Sequence, residues 1–170
     1  MSRRSAPRDG VSFATLLAYR DGETARWRDW LERHPAALDV PIGAGRTATV
    51  RGLVVHIFAV ELRYAERLLG RRVTAYEELE PADTDAVFAI GARARELIDD
   101  FLARADDREM REVLEFQTLT AGPVRATKYK ITANLVNHGV RHWAQVATVL
   151  RQHGFGDQWA HDFLLSDIDV

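Results

Sequence analysis

Apolar residues return every three or four positions in four separate stretches of this chain, each about 20 residues long. The first runs from Ser12 to Arg33, with Phe13, Leu16, Leu17, Thr24, Trp27 and Leu31 along one face. Ser12 is a candidate N-cap, and His34-Pro35 ends the stretch. Asp21-Gly22 is its weak point, because glycine costs a helix interior about 1 kcal/mol against alanine. The second stretch starts at Thr47 or Thr49, carries Val50, Leu53, Ile57, Val60, Tyr64 and Leu68, and stops at Leu69-Gly70. The third starts at Pro81-Ala82-Asp83-Thr84 and reaches about Ala105, with Val87, Ile90, Ala94, Leu97, Ile98, Phe101 and Leu102 inward. The fourth runs from Ile131 to His153, and Gly154 ends it. Helices with one apolar face and short connections bury those faces against one another, so the expected fold is mainly α, an antiparallel four-helix bundle.

The period changes once. From Val113 to Leu119, and again from Val124 to Ile131, β-branched and aromatic residues alternate with polar ones, separated by the turn signal Thr120-Ala121-Gly122-Pro123. This predicts a short β-hairpin between helices 3 and 4. With 170 residues, the chain is expected to form a single domain over 12–170, preceded by a disordered tail at 1–11. The longest apolar run, Leu53 to Val60, is far short of the roughly 20 residues a membrane span needs. The basic start has no apolar core behind it, which predicts a cytoplasmic protein. Net charge is −2, so nothing electrostatic points to a nucleic-acid partner. There is no cysteine, which removes thiolate ligands and a cysteine nucleophile.

Chemistry is concentrated in the histidines. His138 and His142 are four apart, about 40° around a helix, and follow the stripe Ile131, Leu135, His138, His142, Val146 and Val149. Both rings are therefore expected to point into the bundle. His56 stands among Val50, Leu53, Ile57 and Val60 on the second helix. Three inward imidazoles would make a three-nitrogen metal site with an open fourth position. The plainer reading gives each ring its own carbonyl inside the core. His34 is expected to cap a helix or face solvent, and His153 to suit a helix C-terminus, at the edge of the site. Nothing decides the role of His161. Glu61, about 140° round from His56, should point away from a metal, whereas Gln145, three past His142, could orient a ligand or a water.

Leu53-Val54-Val55-His56-Ile57-Phe58-Ala59-Val60-Glu61, followed by Asn137-His138-Gly139-Val140-Arg141-His142-Trp143-Ala144-Gln145, resembles the DinB-like (YfiT-type) family of metalloenzymes. The resemblance extends to Phe13–Tyr19 and to the hairpin, in the same order. It implies a four-helix up-down-down-up bundle and a divalent metal ion held by His56, His138 and His142. Zinc and nickel both suit such nitrogens. It also implies transfer of a low-molecular-weight thiol (mycothiol, bacillithiol or glutathione) to a small electrophile, or hydrolysis of a small substrate, and a homodimer. The alternative is a non-catalytic metal-binding bundle acting as a small-molecule sensor or oligomerisation module. Two departures stand out. Relatives commonly read His-Arg-Gly-Gln where this chain has His142-Trp143-Ala144-Gln145, and many have a histidine where Asn134 stands.

Overall fold

The computed structural model describes residues 11–119 and 121–168. The expected N-terminal tail therefore lies outside the described residues apart from Val11, and so do residues 169–170 of the acidic end. The described part is mainly helical: α1 (Phe13–Arg33), α2 (Val50–Leu68), α3 (Thr84–Arg104), a short α4 (Asp107–Arg111) and α5 (Lys128–Gln152). One antiparallel pair of strands, β1 (Val113–Thr118) and β2 (Gly122–Thr127), precedes α5. None of the described helices is long and apolar enough to cross a membrane.

The long helices begin where side chains can accept from orphan backbone donors. Ser12 accepts from Thr15 N, Thr49 from Gly52 N, Asp83 from Ala86 N and Thr127 from Lys130 N. The second helix ends at Gly70, whose φ of 64° lets Arg71 N donate to Glu66 O and closes the last turn. Gly22 does not interrupt α1. The buried Leu17, Trp27, Trp30 and Leu31 on either side outweigh its propensity cost.

Two boundaries differ from the sequence expectation, and one short helix is additional to it. Helix α5 starts at Lys128, not Ile131, because Thr127 caps it and Lys128 Nζ is anchored to Glu109 and Glu112 at 2.8 and 2.9 Å. Those two acids come from α4 and the residue after it, a helical turn that periodicity had not resolved. Pro123 lies inside β2 opposite Gln117 and not in the turn. A two-stranded ribbon has only edge strands, where proline's missing N–H is tolerated. The inner face of the ribbon brings Phe116 against the Tyr64 ring, centroids 5.8 Å apart.

Helix α2 packs against both α3 and α5, and α1 packs against α5. The core divides into two apolar clusters. One gathers Trp27, Trp30, Val54, Ile57, Phe58, Phe88, Trp143 and Val146. The other gathers Leu17, Leu62, Ala65, Leu97, Ile98, Phe101, Ile131 and Leu135. On each of α1, α2 and α5 the chain passes from one cluster to the other at a polar or small residue, namely Arg20, Glu61 and Gly139. Arg20 and Glu61 face each other at 3.0 Å, 2% and 0% exposed. A Cβ on Gly139 would stand 3.0 Å from Glu61 Oε1, so glycine is what admits the carboxylate against α5. Glu61 pairs with Arg20 and is not part of the histidine cluster.

Candidate metal centre

His56, two turns into α2, meets His138 and His142 of α5 across the α2–α5 contact. His138 Nε2 and His56 Nε2 are 3.2 Å apart. One nitrogen from each of the three rings falls within 4.8 Å of the others, an arrangement that could hold a metal ion. The ring centroids are 4.4 to 5.2 Å apart. A zinc–nitrogen bond of 2.0–2.1 Å brings tetrahedral neighbours to about 3.4 Å, close to the 3.2 Å between His56 and His138.

The rings are not in the middle of the apolar face. The buried line of α5 runs through Leu135, Val136, Gly139, Trp143, Val146 and Leu150, while His138 and His142 flank it half-buried. Expectation had them pointing into the bundle. The offset follows from Trp143, which takes the central position and stacks on Trp27 of α1 at 5.3 Å and 9°. Its bulk fills the interior and leaves the imidazoles at the margin, where a ligand can reach them.

Neighbours hold two of the three rings. His142 Nδ1 lies 3.1 Å from Gln145 Oε1, and Arg141 Nη2 lies 3.2 Å from His142 Nε2. A guanidinium only donates and an amide oxygen only accepts, so the proton is on Nδ1 and the lone pair on Nε2. His56 Nδ1 lies 3.2 Å from the Tyr76 hydroxyl. With that oxygen accepting, His56 turns the lone pair of Nε2 towards His138. His138 Nδ1 is buried with no protein partner among the described residues.

Tyr76 belongs to a short 3-10 turn, Tyr76–Glu78, far from α5 in sequence. Its position traces back to Glu66 of α2, which is buried. Glu66 accepts from Thr74 N at 2.7 Å and from Thr74 Oγ1 at 2.6 Å, pinning the segment just before Tyr76. The guanidinium groups of Arg46 and Arg63 lie over the Tyr76 ring at 5.3 and 5.0 Å, which fixes its plane.

Burial, followed by the neighbouring charges of His142 and Arg141, depresses His56 from 6.5 to about 4. Burial, followed by His142, His56 and Arg141, takes His138 to about 3. His142 is lowered as well, chiefly by burial, with Gln145 acting against the shift. All three rings are neutral at physiological pH, the state that metal ligation requires.

The other histidines are engaged elsewhere. His34 caps α1, with Nδ1 2.8 Å from Trp30 O and its ring stacked on Trp30 at 4.1 Å. His153 caps α5 through Val149 O at 2.9 Å and is outside the cluster. His161 stacks on Trp27 at 5.1 Å and lies 2.8 Å from Glu23 Oε2, joining the C-terminal segment to α1. Sequence reasoning singled out the three converging histidines and Gln145. It missed Tyr76, which no spacing or motif connects to His56, and it missed the contact made by Arg141.

Comparison with curated proteins finds no match. Comparison with family models finds one, described as the DinB family, over residues 1–165. That match takes in all the long helices and the three converging histidines, and the chain belongs to the DinB family.

Proposed function

We propose that His56, His138 and His142 hold one divalent metal ion, zinc or nickel, and that the protein is a metal-dependent enzyme. It transfers a low-molecular-weight thiol to a small electrophile or hydrolyses a small substrate. The observation that carries this reading is the convergence of three neutral imidazoles, with one nitrogen from each within 4.8 Å of the others. When bound, the ion supplies Lewis acidity that favours the reactive thiolate form of a thiol. The chain contains no cysteine, so the sulfur comes from a co-substrate such as mycothiol, bacillithiol or glutathione. Gln145 and Tyr76 orient His142 and His56, and Trp143 closes the inner side of the site to water. In this reading the long helices form the family's up-down-down-up bundle with the hairpin between helices 3 and 4. Residues 12–170 are then a single domain, and the protein works in the cytoplasm as a homodimer.

Elemental analysis of purified protein should find about one divalent ion per chain, the stoichiometry of a single three-histidine site. His138→Ala should abolish its retention, because two imidazoles hold a metal weakly. Equal metal in parent and variant would overturn the ligand assignment. Assays of the metal-replete protein against a panel of small thiols and electrophiles test the transferase reading, and hydrolysis of the same electrophiles without thiol tests the other; no turnover in either would overturn the enzyme reading.

A further inference from the structure

Arg141 is the neighbour of the site that ligation leaves without a role. Its Nη2 donates to His142 Nε2 at 3.2 Å, the lone pair that a metal would take. A metal ion taking that lone pair would free the guanidinium beside the site. Arg141 is exposed, and no carboxylate of the described residues lies within 4.0 Å of it. The other cations close by are occupied. Arg46 pairs with Glu77 at 2.8 Å, and Arg63 donates to Thr74 O while lying over the Tyr76 ring. A divalent ion and Arg141 beside it would together concentrate positive charge, with Glu77 already paired. Such a field selects an anion, and the planar fork of a guanidinium matches a carboxylate.

We propose that Arg141 is the anion-recognition residue of this site and receives the carboxylate of a small carboxylate-bearing substrate or thiol at the metal's open side. The inference rests on the metal reading above. The test uses cobalt(II) as the ion and follows its visible absorption while the loaded protein is titrated with 3-mercaptopropionate or with uncharged 2-mercaptoethanol. The parent should bind the carboxylate-bearing thiol about tenfold more tightly, the low end for a charge-assisted contact at an exposed position. Arg141→Met should remove most of that preference, leaving the affinity for 2-mercaptoethanol as it was, and Arg141→Lys should keep part of it. Arg141→Met should still take up cobalt, since it retains all three ring nitrogens. Cobalt uptake with the same preference in parent and Arg141→Met would overturn the role of Arg141 alone. Failure of the parent to take up cobalt would overturn the metal reading and this inference with it.

Discussion

Arg20 and Glu61 are almost wholly shut away from water, whereas His56, His138 and His142, close by on α2 and α5, keep an edge in solvent. The two groups solve the burial of polar atoms in opposite ways. Arg20 and Glu61 bring opposite charges together at 3.0 Å, behind the α5 backbone at Gly139. Burial still dominates there, raising Glu61 to about 7, with Arg20 acting against the shift. The histidines bring like groups together and remain neutral, with Nδ1 of His56 and His142 held by Tyr76 and Gln145 and Nδ1 of His138 unpartnered among the described residues. Sealed behind the α5 backbone, the Arg20–Glu61 pair is out of a ligand's reach, although neither Glu61 oxygen has a hydrogen-bond partner among the described residues. The Nε2 atoms of His56 and His142 lie at a margin that solvent reaches, where a ligand can take their lone pairs.

The largest test of this contrast removes one side of the closed pair. Arg20→Met should cost about 3–5 kcal/mol at pH 8, because it leaves the Glu61 carboxylate buried without its partner. Pairing it with Glu61→Leu should recover most of that loss in chemical denaturation. If the double variant were no more stable than the single, the pair would be doing something besides neutralising itself.

A smaller effect is expected at the open cluster. Tyr76→Phe keeps the ring between Arg46 and Arg63 but removes the hydroxyl from His56 Nδ1. Metal affinity measured by competitive chelation should fall about tenfold, the lower bound for losing an outer-sphere partner, with little change in folding stability. An unchanged affinity would mean that packing alone orients His56.

The pH dependence of the metal-free protein should carry effects of opposite sign. The folded-state values of His56 and His138 lie below the ordinary 6.5. Unfolded chains therefore take up protons first as pH falls, and stability declines from pH 6.5 towards about 4 and 3. Glu61 is raised to about 7, so its contribution is complete below its ordinary value of 4.5 and is lost as pH rises through 7. In denaturation series across pH, His138→Ala should flatten the acid limb and Glu61→Gln the alkaline limb. Identical profiles for both variants and parent would remove the electrostatic basis of the comparison.

Much of this was legible before any coordinates. The stops at Gly70 and Gly154, the caps Ser12, Thr49 and Asp83, and the stripes of the four long helices depend on residues a few positions apart, so they can be read locally. The spacing of His138 and His142 belongs to the same class, because helix geometry alone puts residues four apart on one side. Their depth in the bundle was misread by about one position. The apolar stripe read from the sequence counted the histidines as interior, and only the stacking of Trp143 on Trp27 decided which line of α5 is buried.

What the tertiary structure alone decided is a set of meetings between distant residues. His56 reaches His138 across 82 positions of sequence, Tyr76 comes to His56 on a loop that Glu66 anchors, and Arg20 finds Glu61 opposite a glycine of a third helix. Periodicity states which face of a helix is apolar. It does not state which polar residue on another helix will stand opposite, because that depends on how the helices pack along their whole length. The sequence by itself therefore determined the four long helices, most of their ends and the histidine pair. The packing determined where His56 meets them and the hydroxyl of Tyr76 that stands at its Nδ1.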